Sequence, residues 1–247
     1  MSALGRIRPL AAGVIADSLR RKIVYVVLVF AALMVLAIPS LPDYGLGVED
    51  AVFREVALAL SYVTALVVTL SLAANRVPSE VERRTVYNVV AKNVGRWEYL
   101  VGTWLGVLGV IGGALVAFTV IQQIVAYFTY SDPMWQLWQG ALAIWLEMGV
   151  VAAFAVAVSA ITGPVVVVTA ALAMLFAGHA RSTLLGGEGA LALQPFYPSL
   201  DAFNVVNPVA HGSGVPPLYL ASMLVVFCGL AALFMLVGVV LFSRRDL

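Results

Sequence analysis

The sequence predicts an all-α membrane protein with six transmembrane helices, and its composition and its apolar runs both support this fold class. Hydrophobic residues make up 62% of the chain and charged residues only 11%. A soluble domain has about 45–50% apolar and about 25% charged residues. The apolar residues also form runs near the roughly 20 residues that a helix needs to cross a bilayer. We therefore expect a single transmembrane domain over residues 1–247, with the lipid bilayer as its solvent.

Six apolar runs meet or nearly meet the length of a membrane span. They cover residues 23–41, 56–74, 100–127, 137–161, 165–180 and 218–242. The fifth run is short, and Gly163 and Pro164 separate it from the fourth. Because proline can end one helix and open the next, we expect a tight turn at this point.

The positions of lysine and arginine predict the orientation of the chain. Cytoplasmic loops of membrane proteins carry an excess of these residues. With the N-terminus inside, only Arg54 and Arg181 of the 14 Lys and Arg residues fall outside. The pattern predicts a multi-pass protein of the cytoplasmic (inner) membrane, with both termini in the cytoplasm.

Residues 1–22 precede the first run and have the spacing of an amphipathic helix. Its apolar positions are Ile7, Leu10, Ala11, Val14, Ile15 and Leu19. Such a helix lies on the membrane surface with its apolar face in the lipid. We expect an interfacial helix on the cytoplasmic side; the alternative is a merely positive flank of the first span.

Small residues repeat along one face of the third run. They are Gly102, Gly106, Gly109 and Gly113, at steps of four, three and four. Small residues let membrane helices approach closely. The face predicts tight packing, either within one subunit or between the two subunits of a dimer.

The segment 75–98, between the second and third runs, is predicted to be cytoplasmic. Ser79 followed by Glu82 has the spacing of a capping box, and Glu80 and Lys92 complement a helix dipole. We expect a short charged helix from Ser79 to Lys92. It could be a docking element or an ordinary amphipathic connector.

The segment 181–217 combines apolar residues with many turn formers, among them Pro195, Pro198, Gly212 and Gly214. It is too apolar for a flexible linker. We expect short helices that pack at the extracytoplasmic mouth between the fifth and sixth spans.

Glu147 is the one acidic residue within a predicted span. A charge at that depth costs about 2.5–3.5 kcal/mol on insertion scales, so it is a candidate for the translocation path. The alternative is a structural carboxyl group. Gln122 and Gln123, in the outer half of the third run, are candidate partners of Glu147; the alternative for them is simple placement at the membrane interface. His179 and His211 stand 32 positions apart with no cysteine or acidic cluster, so we predict no metal site.

Several functional classes are disfavoured by the sequence. A net charge of +1 and the absence of a basic aromatic patch predict no nucleic-acid partner. The sequence shows no nucleophile arrangement and no paired carboxylates, so we do not expect an enzyme. It also lacks the Gly-x-x-x-x-Gly-Lys-Ser/Thr loop that binds ATP, and no cofactor is expected on this chain.

The stretch from Glu80 to Gly106 resembles the permease subunits of ABC-2 type transporters, the exporter class of ABC proteins. The matching positions are Glu80, Glu82, Arg84, Thr85, Lys92, Val94, Arg96, Tyr99, Leu100, Gly102 and Gly106. Asn93 and Thr103 depart from the proline and lysine that are usual there. The basic C-terminus, with Arg244 and Arg245, also resembles that of the family.

This resemblance implies a complex of two permease copies, identical or related, with two copies of an ABC ATPase subunit. ATP and Mg²⁺ would bind to that ATPase. The coupling residues would be Glu80, Glu82, Arg83, Arg84, Thr85, Val86, Val89, Lys92 and Arg96. Such a complex exports a substrate or transmits force to an extracytoplasmic partner. The alternatives are an ATP-independent secondary transporter and a membrane scaffold protein.

Overall fold

The computed structural model describes residues 3–20, 49–82, 95–180 and 199–244, with isolated positions between 25 and 36. This part of the chain contains seven α-helices, a 3₁₀ turn and no strand. The helices are α1 (Ala3–Arg20), α2 (Glu49–Glu82), α3 (Arg96–Tyr130), α4 (Leu137–Ser159), α5 (Pro164–His179), α6 (Val206–Ala210) and α7 (Pro217–Ser243), and the 3₁₀ turn is Asp201–Phe203.

Four helices are long and apolar enough to cross a membrane. They are the Glu49–Ala74 part of α2 and the whole of α3, α4 and α7. Helix α5 is apolar but has only 16 residues. The predicted first span, 23–41, lies outside the described residues except at isolated positions. The described part of the chain is therefore all-helical, and the protein spans a membrane.

Helix α4 is the centre of the bundle. It packs against α2, α3, α5 and α7. In its most apolar stretch of 18 residues, 78% is buried, whereas the corresponding value for α7 is 17%. Helix α7 instead exposes large side chains such as Leu218, Val225 and Leu236. An apolar helix that is enclosed by others belongs to the interior, and one that exposes apolar side chains is suited to lipid.

The predicted turn at Gly163 and Pro164 is confirmed. Helix α4 ends at Ser159, Gly163 is extended with φ −82° and ψ 167°, and Pro164 begins α5. Proline suits this first position because its missing N–H would have no partner within the helix.

The prediction that a helix begins at Ser79 is wrong. Helix α2 runs through this position without a break, and Glu80 and Glu82 lie in its last described turn. Extending an existing helix needs no new nucleus, whereas a separate helix does. The other predicted coupling residues between 83 and 94 lie outside the described residues: Arg83, Arg84, Thr85, Val86, Val89 and Lys92.

The glycine face of α3 packs against α1 within the chain. A Cβ atom on Gly102 would lie 2.8 Å from Cβ of Leu10, and one on Gly106 would lie 2.5 Å from Cβ of Val14. An atom on Gly109 would lie 3.1 Å from Cδ1 of Ile15, a tight contact with the end of a flexible side chain. Glycine is therefore required at Gly102 and Gly106 for the two helices to approach this closely. No described neighbour lies within 4 Å of such an atom on Gly113.

The described part of the 181–217 segment folds over one end of the bundle. Leu200, Phe203 and Val209 are buried there, and residues 181–198 lie outside the described residues. Gln139 on α4 holds this segment: its side-chain oxygen accepts the Val215 N–H at 2.7 Å, and its nitrogen donates to the Val215 carbonyl at 3.2 Å. Short helical turns are present, as the sequence predicts.

Substitution of Gly106 by alanine should destabilise the packing of α1 on α3. The new Cβ would collide with Val14, and overpacking of this kind costs about 1–3 kcal/mol. Gly229→Ala in α7 is the matched control, since no described atom lies within 4 Å of a Cβ atom at this helical position. The free energy of unfolding in mixed micelles measures the difference. Equal stability of the two variants would contradict the packing.

Candidate functional site

The carboxyl group of Glu147 is the centre of a buried polar cluster. Glu147 lies ten residues, or about 15 Å, from the first residue of α4 and is 2% exposed. Its Oε1 atom accepts a hydrogen bond of 2.7 Å from the Tyr62 hydroxyl group. The Nε2 atom of His179 lies 2.8 Å from the same oxygen. With its proton on Nε2, His179 is a second donor, and an oxygen that takes two donors suits a carboxylate.

His179 connects this carboxylate with a second acid. Its Nδ1 atom lies 3.6 Å from Oδ1 of Asp201, in the 3₁₀ turn. The Tyr62 hydroxyl oxygen also lies 3.4 Å from His179 Nε2. The imidazole therefore lies between two carboxylates, and α2, α4, α5 and the 3₁₀ turn all contribute to one cluster.

Helical periodicity places the cluster at one cavity. Glu55 precedes Tyr62 by seven positions on α2, and Gly140 precedes Glu147 by seven on α4, so each pair shares a helix face. All four residues line a cavity of about 460 Å³. Most of the remaining lining is apolar: Leu58, Ala59, Val63, Ala143, Ile144, Leu175, Phe176, Phe203, Val205 and Val206. The chemistry is that of an apolar chamber with a few polar groups, as in small-molecule sites.

The end of α5 and the 3₁₀ turn lie side by side at this chamber. The chain returns to α5 at Leu200, whose N–H donates to the Gly178 carbonyl at 3.3 Å. A Cβ atom on Gly178 would lie 2.6 Å from Cγ of Leu200, so the approach requires glycine. The 3₁₀ turn is enclosed by protein here, since Phe203 is buried and lines the cavity.

The partners of Glu147 differ from those that the sequence suggests. The side-chain nitrogen of Gln122 donates instead to the Ala57 carbonyl and the Ser61 hydroxyl, each at 2.8 Å. Tyr62 and His179 take the place that the sequence interpretation gave to glutamines. The sequence did contain a signal for them. A buried acid needs hydrogen-bond donors, and Tyr62 and His179 are polar residues within predicted spans. The sequence does not show which runs are neighbours.

Neither histidine belongs to a metal site in the described part of the chain, where no group of three His, Cys, Asp or Glu residues stands close enough to hold an ion. His211 Nδ1 lies 2.9 Å from the Asn207 carbonyl oxygen. His179 is a hydrogen-bonding partner of Glu147. The cluster can hold charge and hydrogen bonds in the interior of the bundle.

A second polar arrangement, which we call the Arg6–Glu98 junction, lies where the chain enters α3. It comprises Arg6, Gly95, Arg96, Glu98 and the carbonyls at the end of α7. Arg6 donates to both carboxylate oxygens of Glu98, at 2.7 Å and 2.9 Å, and these bonds raise the pKa of Arg6. Glu98 also accepts the Gly95 N–H at 3.0 Å. The junction thus caps α3 and fastens α1 to it.

Arg96 extends the junction to α7. Its Nη1 atom donates to the carbonyls of Phe242 at 2.9 Å and Ser243 at 3.0 Å. Arg96 is the one predicted coupling residue whose side chain the structure describes. The pairing of Arg6 with Glu98 was not predicted from the sequence. The spacing from Gly95 to Glu98 was a local signal for a helix start, since it is that of a capping box.

No model of a known protein family matches the sequence, and no curated protein matches it. The functional interpretation therefore depends on the Glu147 cluster, its cavity and the Arg6–Glu98 junction.

Removal of the Tyr62 hydroxyl group should destabilise the bundle. Tyr62→Phe leaves the buried Glu147 carboxylate with one donor fewer, which costs about 1–3 kcal/mol. The control is Tyr219→Phe, because that hydroxyl donates at an exposed site to the Ala202 carbonyl. Unfolding free energies in mixed micelles should fall clearly only for the first variant. If Tyr62→Phe is as stable as the control, its hydrogen bond does not support the cluster.

Proposed function

We propose that this chain is the transmembrane permease subunit of an ABC-2 type transporter, an exporter or a transmitter of mechanical force. ATP and Mg²⁺ would bind to a separate ATPase subunit. The observation that carries the proposal is the Arg6–Glu98 junction, which stands directly after the segment 83–94. This segment holds most of the residues that the family resemblance assigns to coupling.

The junction is suited to transmit a movement of that segment. A bidentate pair of arginine and carboxylate is among the stronger and more directional polar contacts. Here it joins α1 to the first turn of α3, and Arg96 joins the same turn to the end of α7. A displacement at Gly95 would therefore move three helices together.

The finer topology is part of the proposal. It has six spans, the first over residues 23–41, with both termini in the cytoplasm and the chain in the inner membrane. The helix α1 would lie on the cytoplasmic side, along the first turns of α3, and the 181–217 segment outside. The distribution of Lys and Arg supports this orientation, because it puts the junction inside and the Glu147 cavity towards the outside.

The proposal also specifies partners. Two copies of the ATPase would contact the cytoplasmic face around Glu80 to Arg96, and a second permease copy would complete the pathway. An extracytoplasmic partner would receive force in a mechanical version of the complex. Gly113 is the residue of the glycine face that the α1 packing leaves open for contact with a second copy.

A secondary transporter without an ATPase is the second candidate, and the Glu147–His179 pair favours it. Ionisable residues within membrane bundles often lie on ion or substrate pathways. The chain of Asp201, His179 and Glu147 could carry a coupling proton. A scaffold protein would not need such a cavity.

Purification of the tagged chain from its native membrane in a mild detergent tests the proposal. We expect a near-stoichiometric soluble ATPase with a phosphate-binding loop, identified by mass spectrometry. A stable chain recovered without an ATPase would contradict the ABC-2 assignment and favour the secondary transporter.

Charge reversal at the junction should uncouple the complex. Arg6→Glu places two carboxylates together, so the ATPase stimulation that depends on the permease should fall. Combining it with Glu98→Arg restores an ion pair but not the Gly95 cap, so partial recovery is expected. ATPase rates of the reconstituted complex measure both. A single variant with full stimulation would show that the junction does not transmit movement.

A further inference from the structure

The Glu147 cavity has the size, lining and charge of a binding site, and the contacts identify the chemical class of its ligand. We propose that it binds an amphiphilic organic cation, with a primary ammonium group on an apolar body, and that the ammonium group pairs with Glu147. Binding itself does not depend on an ATPase. That the ligand is an exported cargo would rest on the proposed function.

The charge of the chamber favours a cation. Three carboxylates lie at the chamber. Glu55 and Glu147 line it, and Asp201 lies beside His179, which also lines it. Even a protonated His179 compensates only one of them. The neighbouring cation Arg54 is occupied elsewhere, since its guanidinium donates to the Ala210 carbonyl and lies 3.7 Å from Asp132. An anionic headgroup would be repelled.

The geometry of Glu147 leaves room for an additional donor. Both of its hydrogen bonds reach Oε1. Within the described part of the chain, no hydrogen bond to Oε2 is present, although the residue lines the cavity. An ammonium group has three N–H donors, so it could bind Oε2 without displacing Tyr62 or His179.

The rest of the lining requires an apolar body. A cavity of about 460 Å³ is within the range of small-molecule sites, roughly 300–1,000 Å³. Leu58, Ile144 and Phe203 would contact carbon rather than water. A small inorganic cation would leave this surface unfilled.

The rim of the cavity indicates entry from the lipid. Val63, Phe176 and Val206 line it and are 43%, 70% and 41% exposed. In a membrane-spanning chain, large apolar side chains with this exposure are suited to acyl chains. A ligand that partitions into the bilayer would therefore reach the site sideways.

Direct binding of a size-matched series tests the proposal. The probes are 6-phenylhexylamine, 6-phenylhexan-1-ol and 6-phenylhexanoate, which share one body and differ in headgroup charge. Radiolabelled probes are equilibrated with the purified chain in phosphatidylcholine nanodiscs, and empty nanodiscs give the background. We expect saturable binding of the amine alone. Equal binding of the alcohol, or preference for the acid, would overturn the proposal.

Three variants locate the site. Glu147→Gln keeps the shape and removes the charge, so amine binding should weaken about tenfold or more. Asp17→Asn removes a carboxylate on α1, outside the cavity, and binding should persist. Ala59→Phe adds bulk at an exposed residue of the cavity lining and keeps the Glu147 carboxylate, and binding should be lost. Unchanged binding in both Glu147→Gln and Ala59→Phe would place the ligand elsewhere.

Nanodiscs that contain phosphatidylethanolamine distinguish two sources of the ammonium group. Competition by this lipid would identify a lipid headgroup as the occupant. Undiminished amine binding would identify a free amphiphile. The assay needs no ATPase. If no ATPase co-purifies but the amine binds specifically, the exporter proposal is wrong and the binding site stands. If an ATPase co-purifies but the amine does not bind, the exporter proposal stands and this ligand class is wrong.

Discussion

The arrangement of the bundle depends on keeping the Glu147 carboxyl group hydrogen-bonded on the central helix. A buried ionised group without partners is strongly unfavourable, and α4 is enclosed by four neighbours. Tyr62 and His179 supply the donors, which fixes the rotation of α2 and the point at which α5 must reach α4. His179 is the last residue of α5, and the 3₁₀ turn brings Asp201 to 3.6 Å from its imidazole.

Two indole groups connect this cluster to the opposite half of the bundle. Trp145 on α4 donates to the Leu108 carbonyl at 2.9 Å, and Trp104 on α3 donates to the Gly149 carbonyl at 2.9 Å. These bonds bracket Glu147 on α4 and lie along α3, whose first turn forms the junction with Arg6. Polar contacts on both sides of Glu147 therefore hold α4 against α3.

Much of the fold could be predicted from the lengths of the apolar runs. The runs 100–127, 137–161, 165–180 and 218–242 correspond to α3, α4, α5 and α7 within a few residues, because length and hydropathy decide where a helix can span. The break at Gly163 and Pro164 was predictable for a local stereochemical reason. The predicted helix start at Ser79 was wrong because a local capping pattern does not show whether a preceding helix continues through it. Continuing an existing helix needs no new nucleus.

The partners of Glu147 could not be predicted in the same way, because hydrophobicity does not distinguish one helix neighbour from another in lipid. Association of membrane helices depends instead on close packing and on a small number of polar contacts. Both kinds of contact join distant parts of this sequence: Gly106 with Val14, Arg6 with Glu98, and Tyr62 with Glu147. The residues that determine the arrangement are thus the few that interrupt the apolar pattern, and their pairing is a property of the folded bundle.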